Sequence, residues 1–484
     1  MLPLLASADS EQIVGWSVYL ILMIDLAFVV WILHLKKDSL AAMSWTLTVL
    51  LMPIFGAILF ILIGFQSIHR PIRRKQLHTL RYRARPSGSG EFRTLDAVKT
   101  SPGWEGISEL SLKLGAFQPM GGNHVEQFHE VALAYQNMFA AIRGAKHHIH
   151  LQMFIIRPDE TGRKVMTLLA EKAREGVQVR VLHDAIGSWN FSASVIRILT
   201  DAGGKVAAFL PISLLRRRVQ INLRNHRKIL VVDGKIAFTG GLNLGDEYLG
   251  KNPFFGPWRD TAIRIEGPAV SSLQRIFLED WNFATKEELP LEVYFPVYQK
   301  MGDVTVQIAC SGPDQELKTI REIYFAAITR AKKRIWIASP YFVPDVALLN
   351  ALALAGRSGV DVRLLCPFRP DKWIPYLAAR FYWQVMLPAG VKIYQYTPGF
   401  IHAKNMLIDD VWSCIGTANF DNRSLFLNFE VNCQIESEEV AKQLEAAFLK
   451  DFEKSIRLEE VGFNNRPFVG RVAENACRLL SPIL

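Results

Sequence analysis

The sequence predicts an α/β protein made of two copies of one unit, each a mixed, mostly parallel sheet flanked by helices. An N-terminal two-helix transmembrane hairpin precedes them. Three observations carry this. Two long apolar runs lie near the N-terminus, a series of segments recurs in order in the second half, and helical and strand patterns alternate in each copy.

The hairpin occupies residues 1–65, with helices over about 13–35 and 40–64, each long enough to cross a bilayer. The first run lacks a basic leader and is too long for a cleaved signal peptide. Asp25 inside it costs about 2.5–3.5 kcal/mol on insertion scales. It faces the partner helix, faces a second subunit in a homodimer, or is carried by its apolar flanks. Pro53 predicts a kink in the second helix. Only residues 36–39 join the runs, so both ends of the hairpin lie on one side.

Residues 66–105 form a basic juxtamembrane segment and linker. Residues 66–95 hold a net charge of +7 of the chain's +10. Such a cluster predicts a cytoplasmic main body and can hold anionic headgroups, although Lys36 and Lys37 in the outer turn run against the trend. The other residues share only +3, which disfavours nucleic acid as a partner. Residues 86–104, rich in Ser, Gly and Pro, read as a flexible linker. Five cysteines without C-x-x-C spacing argue against a disulfide framework and a zinc site.

The units span 106–295 and 296–484. AAIRGAKHHIHLQMFIIRPD (140–159) is echoed by AAITRAKKRIWIASPYFVPD (326–345), GVQVRVL (176–182) by GVDVRLL (359–365), and AGGKV (202–206) by AGVKI (389–393). The first copy carries about ten extra residues near 210–224, with Leu214 and Leu215 beside Arg216, Arg217 and Arg218. In the second copy, residues 371–385 are aromatic and basic. They suit either helix packing or a rim that dips into the membrane. The tail 467–484 reads as an apolar helix on the domain or at the membrane.

The most informative repeat is NHRKILVVDGKIAFTGGLN (225–243) against IHAKNMLIDDVWSCIGTAN (401–419). Both read His-x-Lys-x4-Asp: His226, Lys228 and Asp233, then His402, Lys404 and Asp409. Both continue to a Gly (Gly240, Gly416) and an Asn (Asn243, Asn419). Strand, turn and strand are predicted for each, with His and Lys on one face because alternate residues share a face. The aspartates fall at the turn, which suits a supporting role.

This pattern resembles the phospholipase D superfamily. The stretches that follow the two motifs, WRDTAIRIEGPAV and GTANFDNRSLFLNFE, resemble bacterial cardiolipin synthases more closely still. The resemblance implies one active site between the two units, with all six motif residues in the catalytic set. It also implies an acid that orients each histidine, carried here to Asp260, 34 residues after His226, and Glu430, 28 after His402. By the same resemblance His226 is the nucleophile and His402 the acid and then the base, although pseudo-symmetry allows the swap.

Two histidines can divide phosphoryl transfer between them, one attacking phosphorus and one protonating the departing oxygen. Lys228, Lys404, Asn243 and Asn419 are candidates to hold the phosphate oxygens. No cofactor or metal is called for. The implied reaction joins two phosphatidylglycerol molecules into cardiolipin with release of glycerol, through a phosphatidyl-histidine, in a multi-pass protein of the bacterial inner membrane. The rivals are a hydrolytic phospholipase D or another phosphatidyl transferase, a nuclease, and an inactive membrane scaffold. Two intact motifs argue against the last.

Overall fold

The computed structural model describes residues 2–36, 39–64, 75–77, 79, 104–211 and 222–484. Most of the basic segment, the linker from 86 and the centre of the 210–224 insert lie outside the described residues. The chain forms two units, Met1–Arg74 and Lys75–Leu484.

In the first unit, a helix spans Leu2–Leu35 and its apolar stretch Trp16–Leu35 is long enough to cross a membrane. Asp25 is buried within the unit. The second run departs from the single helix expected. It forms a helix only over Ser39–Leu51, breaks at Met52–Ile54, and resumes as Phe55–Leu59 and a π-helical turn Phe60–Gly64. Proline has no N–H to donate and disfavours helical backbone at the residue before it. Ile54 then takes a positive φ of 63°, so Pro53 interrupts the helix rather than only kinking it.

The second unit is the duplicated one. In its first half the strands are β1 (Met120–Glu130), β2 (His148–Met153), β3 (Gln178–Asp184), β4 (Lys205–Phe209), β5 (Arg224–Asn225), β6 (Ile229–Val232), β7 (Ile236–Gly240) and β8 (Trp258–Glu266). In its second half they are β9 (Val304–Ser311), β10 (Arg334–Ala338), β11 (Phe342–Val343), β12 (Asp361–Pro367), β13 (Lys392–Tyr396), β14 (Phe400–Ile401), β15 (Asn405–Ile408), β16 (Trp412–Gly416), β17 (Phe420–Asp421), β18 (Asn428–Glu436) and β19 (Ser455–Arg457).

The two sheets follow one plan, in the orders β4-β3-β2-β6-β7-β8-β1 and β13-β12-β10-β15-β16-β18-β9. They join through β1 and β9. The mixed sheet was expected, but its parallel share is smaller than predicted. Within these two orders only β2-β3-β4 and β10-β12-β13 are parallel, because only those strands are linked by crossover helices. The His-Lys hairpins and the strand after each run antiparallel.

The repeated Asp of RPD and VPD has a local purpose. Asp159 accepts from Gly162 N, and Asp345 from Ala347 N and Leu348 N, so each caps the helix that follows. Between the sheets lies a shared core of branched side chains, including Val231, Ile263, Ile308, Leu407 and Val431. The aromatic run 371–385 divides between its two readings. It forms the helix Trp373–Met386, burying Tyr382, Trp383 and Met386 while Trp373 and Ile374 stay exposed. The tail helix Phe468–Arg478 packs on that helix, with Arg380 paired to Glu474, and leaves Phe468 and Val469 exposed.

Candidate active site

The site is built where each half lends a strand end to the other. β5, just before His226, runs parallel to the start of β18, with Asn225 opposite Phe429. β14, just before His402, runs parallel to the start of β8, with Ile401 opposite Arg259. His226 N donates to Phe429 O (2.9 Å) and His402 N to Arg259 O (2.8 Å). Each histidine is therefore registered against the residue that precedes an acid of the opposite half.

The side chains follow. His226 Nδ1 lies 2.9 Å from the Glu430 carboxylate, and His402 Nδ1 lies 2.7 Å from Asp260. Both predicted acids are in the site, but the pairing is crossed: Asp260 belongs to the half of His226 and serves His402. Glu430 also accepts from Thr417 Oγ1 and Asn428 Nδ2, and Asp260 from Thr261 N. With Nδ1–H donated to a carboxylate, the lone pair of each ring is on Nε2.

Alternation along the strand puts Lys228 beside His226 and Lys404 beside His402. Each ammonium donates to the carbonyl of its own histidine, Lys228 Nζ at 2.7 Å. All four side chains are nearly inaccessible, His226 being 7 % and His402 8 % exposed. Burial, reinforced by Lys228 and Lys404, pushes His226 well below its ordinary pKa. Burial and then Lys404 lower His402 to about 4, against the pull of Asp260. Burial brings Lys228 down to about 7 despite Glu430, and Lys404 to about 8 despite Asp260. It lifts Glu430 to about 7 against Lys228. The two half-sites feel each other's charge, and in each a lysine stands beside the histidine. A phosphate anion entering between them would favour the charged form of both lysines.

The remaining predicted residues take other positions. Asp233 accepts from the backbone N–H groups of Lys146, His147 and His148, and Asp409 from those of Lys332, Lys333 and Arg334. Each sits with positive φ (54° and 52°) at the far end of its hairpin. They pin that turn to the start of β2 or β10 and are not brought to the histidines. The Asn243 amide is engaged too, accepting from Ile155 N and donating to Tyr248 Oη at 2.7 Å. The Asn419 side chain is buried, with an oxygen that has no partner among the described residues.

The motif glycines have a steric cause. A Cβ on Gly240 would stand 2.3 Å from Thr261 O, and one on Gly416 2.5 Å from Val431 O. Those are the residues after Asp260 and Glu430, so each glycine lets an acid-bearing strand pass close by.

Sequence reasoning missed the support behind His226. Asn225 and Arg227 point away from the site and both reach Asp280, Arg227 at 2.7 Å. Lys75 reaches the same carboxylate at 2.8 Å and Asp314 at 3.8 Å. Burial opposes these charges. Arg227 and Lys75 nonetheless hold Asp280 well below the ordinary carboxyl range, and Asp280 with Asp314 holds Lys75 above its own. The one available signal was the neighbouring Arg of the first motif, where the second motif has Ala403.

Two facing His-x-Lys segments on a duplicated α/β unit, each ring held by the other half's acid, define a phosphotransferase site of the phospholipase D type. The profile of the cardiolipin synthase PLD-like domain matches residues 138–281 and 324–452. A cardiolipin synthase of Geobacillus kaustophilus is 49 % identical over 352 residues, 72 % of this chain and 70 % of the relative. The major cardiolipin synthase of Bacillus subtilis is 38 % identical over 480 residues, 97 % of this chain and 98 % of the relative. The chain belongs to the cardiolipin synthase family. Among solved structures, the phosphatidylserine synthase of Haemophilus influenzae superposes with a TM-score of 0.57 at 16 % identity. That alignment covers 74 % of this chain and 95 % of that one, and it is a likeness of fold.

Proposed function

We propose that this protein is a membrane phosphatidyl transferase that makes cardiolipin from two phosphatidylglycerol molecules and releases glycerol. The observation that carries the mechanism is the crossed pair of histidine–carboxylate contacts flanked by Lys228 and Lys404. Nε2 of His226 attacks phosphorus of the first lipid. The bond from phosphorus to the glycerol oxygen breaks, and His402 Nε2–H gives that oxygen its proton. His402 then takes the proton of the terminal hydroxyl of a second phosphatidylglycerol. The freed oxygen attacks phosphorus, the P–N bond to His226 breaks, and cardiolipin leaves.

Two features support this assignment of roles. Burial and the two lysines hold His226 neutral, as a nucleophile must be. His402 is lowered to about 4 by burial and Lys404, so its ring takes up the Nε2 proton only with the phosphate anion in place, a change that the Asp260 carboxylate favours. Lys228 and Lys404 stabilise the charge on the non-bridging oxygens. Asn419 is the better placed of the two asparagines to join them, since Asn243 is already engaged. The same reading holds the protein in the bacterial inner membrane by its N-terminal hairpin, with the catalytic unit cytoplasmic and a dimer formed through the membrane helices.

The test uses purified protein with labelled phosphatidylglycerol in mixed micelles, with chelator present and His226→Ala as control. Cardiolipin and free glycerol from the wild type, absent in the variant, are expected. Phosphatidic acid as the main product would replace transfer by hydrolysis.

A further inference from the structure

The proposed substrates are bilayer lipids, yet both histidines are buried. Only a headgroup can reach them, and the acyl chains must stay in the membrane. Some part of the mouth therefore has to lie on the bilayer, and the structure offers a specific rim.

In parallel α/β sheets ligands bind beyond the carboxyl ends of the strands. Two parallel strands in equivalent positions of the two halves, β3 and β12, each run on into a turn that ends in an exposed tryptophan. Trp189 is 75 % exposed and Trp373 65 %. Both turns are braced against the site. Asp184 at the end of β3 accepts from Asn225 N, and Ser188 Oγ donates to Phe154 O at 2.9 Å. The Phe154 ring stands edge-on to His226, 4.7 Å between centroids. A Cβ on Gly187 would come within 2.4 Å of Phe154 O, so this turn is pressed onto the segment it guards. In the other half, Asp371 accepts from Tyr341 Oη at 2.6 Å, and Lys372 is close enough to bear on the charge of His226.

A third loop adds Phe254, 65 % exposed. Its neighbour Phe255 packs on Phe400, whose ring lies 6.0 Å from that of His402. Three exposed aromatic side chains thus sit on three loops that each reach back to the site, with Lys372 next to Trp373. An amphipathic ring with basic company suits the headgroup layer of an anionic bilayer.

We infer that Trp189, Trp373 and Phe254 form a docking rim that seats the mouth of the site on an anionic phospholipid bilayer. This rests on the reading of the substrate as a membrane lipid. The rim brings lipid to the histidines and takes no part in the chemistry.

The full chain is compared with Trp189→Ala/Trp373→Ala on two donors, phosphatidylglycerol vesicles and dispersed dibutyryl phosphatidylglycerol. Removing two interfacial aromatics is expected to lower vesicle turnover about tenfold or more, with the dispersed donor unaffected. Trp189→Phe/Trp373→Phe should restore most of the vesicle rate. Equal loss on both donors would make the tryptophans part of the fold or the site, and no loss on either would remove the rim. Either result overturns the inference. Consumption of donor is the readout, so phosphatidic acid in place of cardiolipin would sink the proposed function while leaving the rim test legible. A readout independent of turnover is the emission lost in the Phe variant. Brominated phosphatidylglycerol in the vesicles should quench it, and failure to quench would sink the docking claim.

Discussion

The two His-x-Lys segments share a backbone and differ in what stands behind it. Facing the cavity they match: a histidine on a carboxylate of the opposite half, then a lysine on the histidine's own carbonyl. On the reverse face the first half places Asn225 and Arg227, tied to Asp280 and through it to Lys75. The second half places Ile401 and Ala403 in the apolar core between the sheets. The chemistry fixes the cavity side in both copies. The back needs only to hold a strand in place, which an ion network and a hydrocarbon core do equally well, with different vulnerabilities.

The largest effect should come from the histidines themselves. His226→Ala and His402→Ala are each expected to cut cardiolipin formation by roughly 10⁴-fold or more. They part company on a donor with a nitrophenol leaving group, which departs without a proton. His402→Ala should then still trap a labelled phosphatidyl group on the protein after a denaturing quench at neutral to mildly alkaline pH, where the P–N bond survives, and His226→Ala should not. Equal behaviour on that donor would erase the division of labour.

Next come the acids, at about 10²–10⁴-fold each. Because the pairing is crossed, Glu430→Gln should slow formation of the covalent species on His226. Asp260→Asn should slow the steps that need His402. Rapid-quench kinetics separates the two, and the reverse pattern would mean that each acid serves its own half.

Asp280→Ala tests the difference in backing. It strips Arg227 of its partner carboxylate in the interior and leaves Lys75 only the more distant Asp314, at a cost of about 3–5 kcal/mol in unfolding free energy. Denaturation in detergent would measure this. An unchanged midpoint would show that the network does not hold the first half together.

The smallest effect is a pH trend shared by both halves. Lys228 and Lys404 have lowered pKa values, about 7 and 8, so their charge is lost as pH rises through that range in the free enzyme. Bound phosphate opposes that loss. KM should therefore rise about tenfold per pH unit between 7 and 8 and up to about a hundredfold per unit above 8, while kcat stays nearly level. A fall confined to kcat would place the titration elsewhere.

Much of this was legible in the sequence. The duplication, the strand parity of His and Lys, and the acids at 260 and 430 all emerge from spacing and from resemblance to a family. What spacing does not reveal is which strand lies beside which. Asp260 and Glu430 were counted from the histidine of their own half, and the fold exchanges them through the β5–β18 and β14–β8 pairings. Asp233 and Asp409 travel with the motif because backbone N–H groups at the start of β2 and β10 need an acceptor. A motif does not distinguish that need from catalysis. The share of parallel pairing was overestimated because alternating helices and strands occur only in the first part of each unit. The tie from Lys75 to Asp280 joins residues some two hundred positions apart, and it starts in a segment whose basic character suggested membrane topology and headgroups.

That tie also decides where the protein can be cut. The Ser- and Gly-rich stretch from residue 86 is the natural place to sever a catalytic fragment from its anchor, and the helical pattern resumes only after it. A fragment begun there would lack Lys75 and leave Asp280 with one cation instead of two, behind the strand that presents His226. The working boundary of the catalytic unit lies upstream of residue 75, inside what composition alone would assign to the juxtamembrane segment.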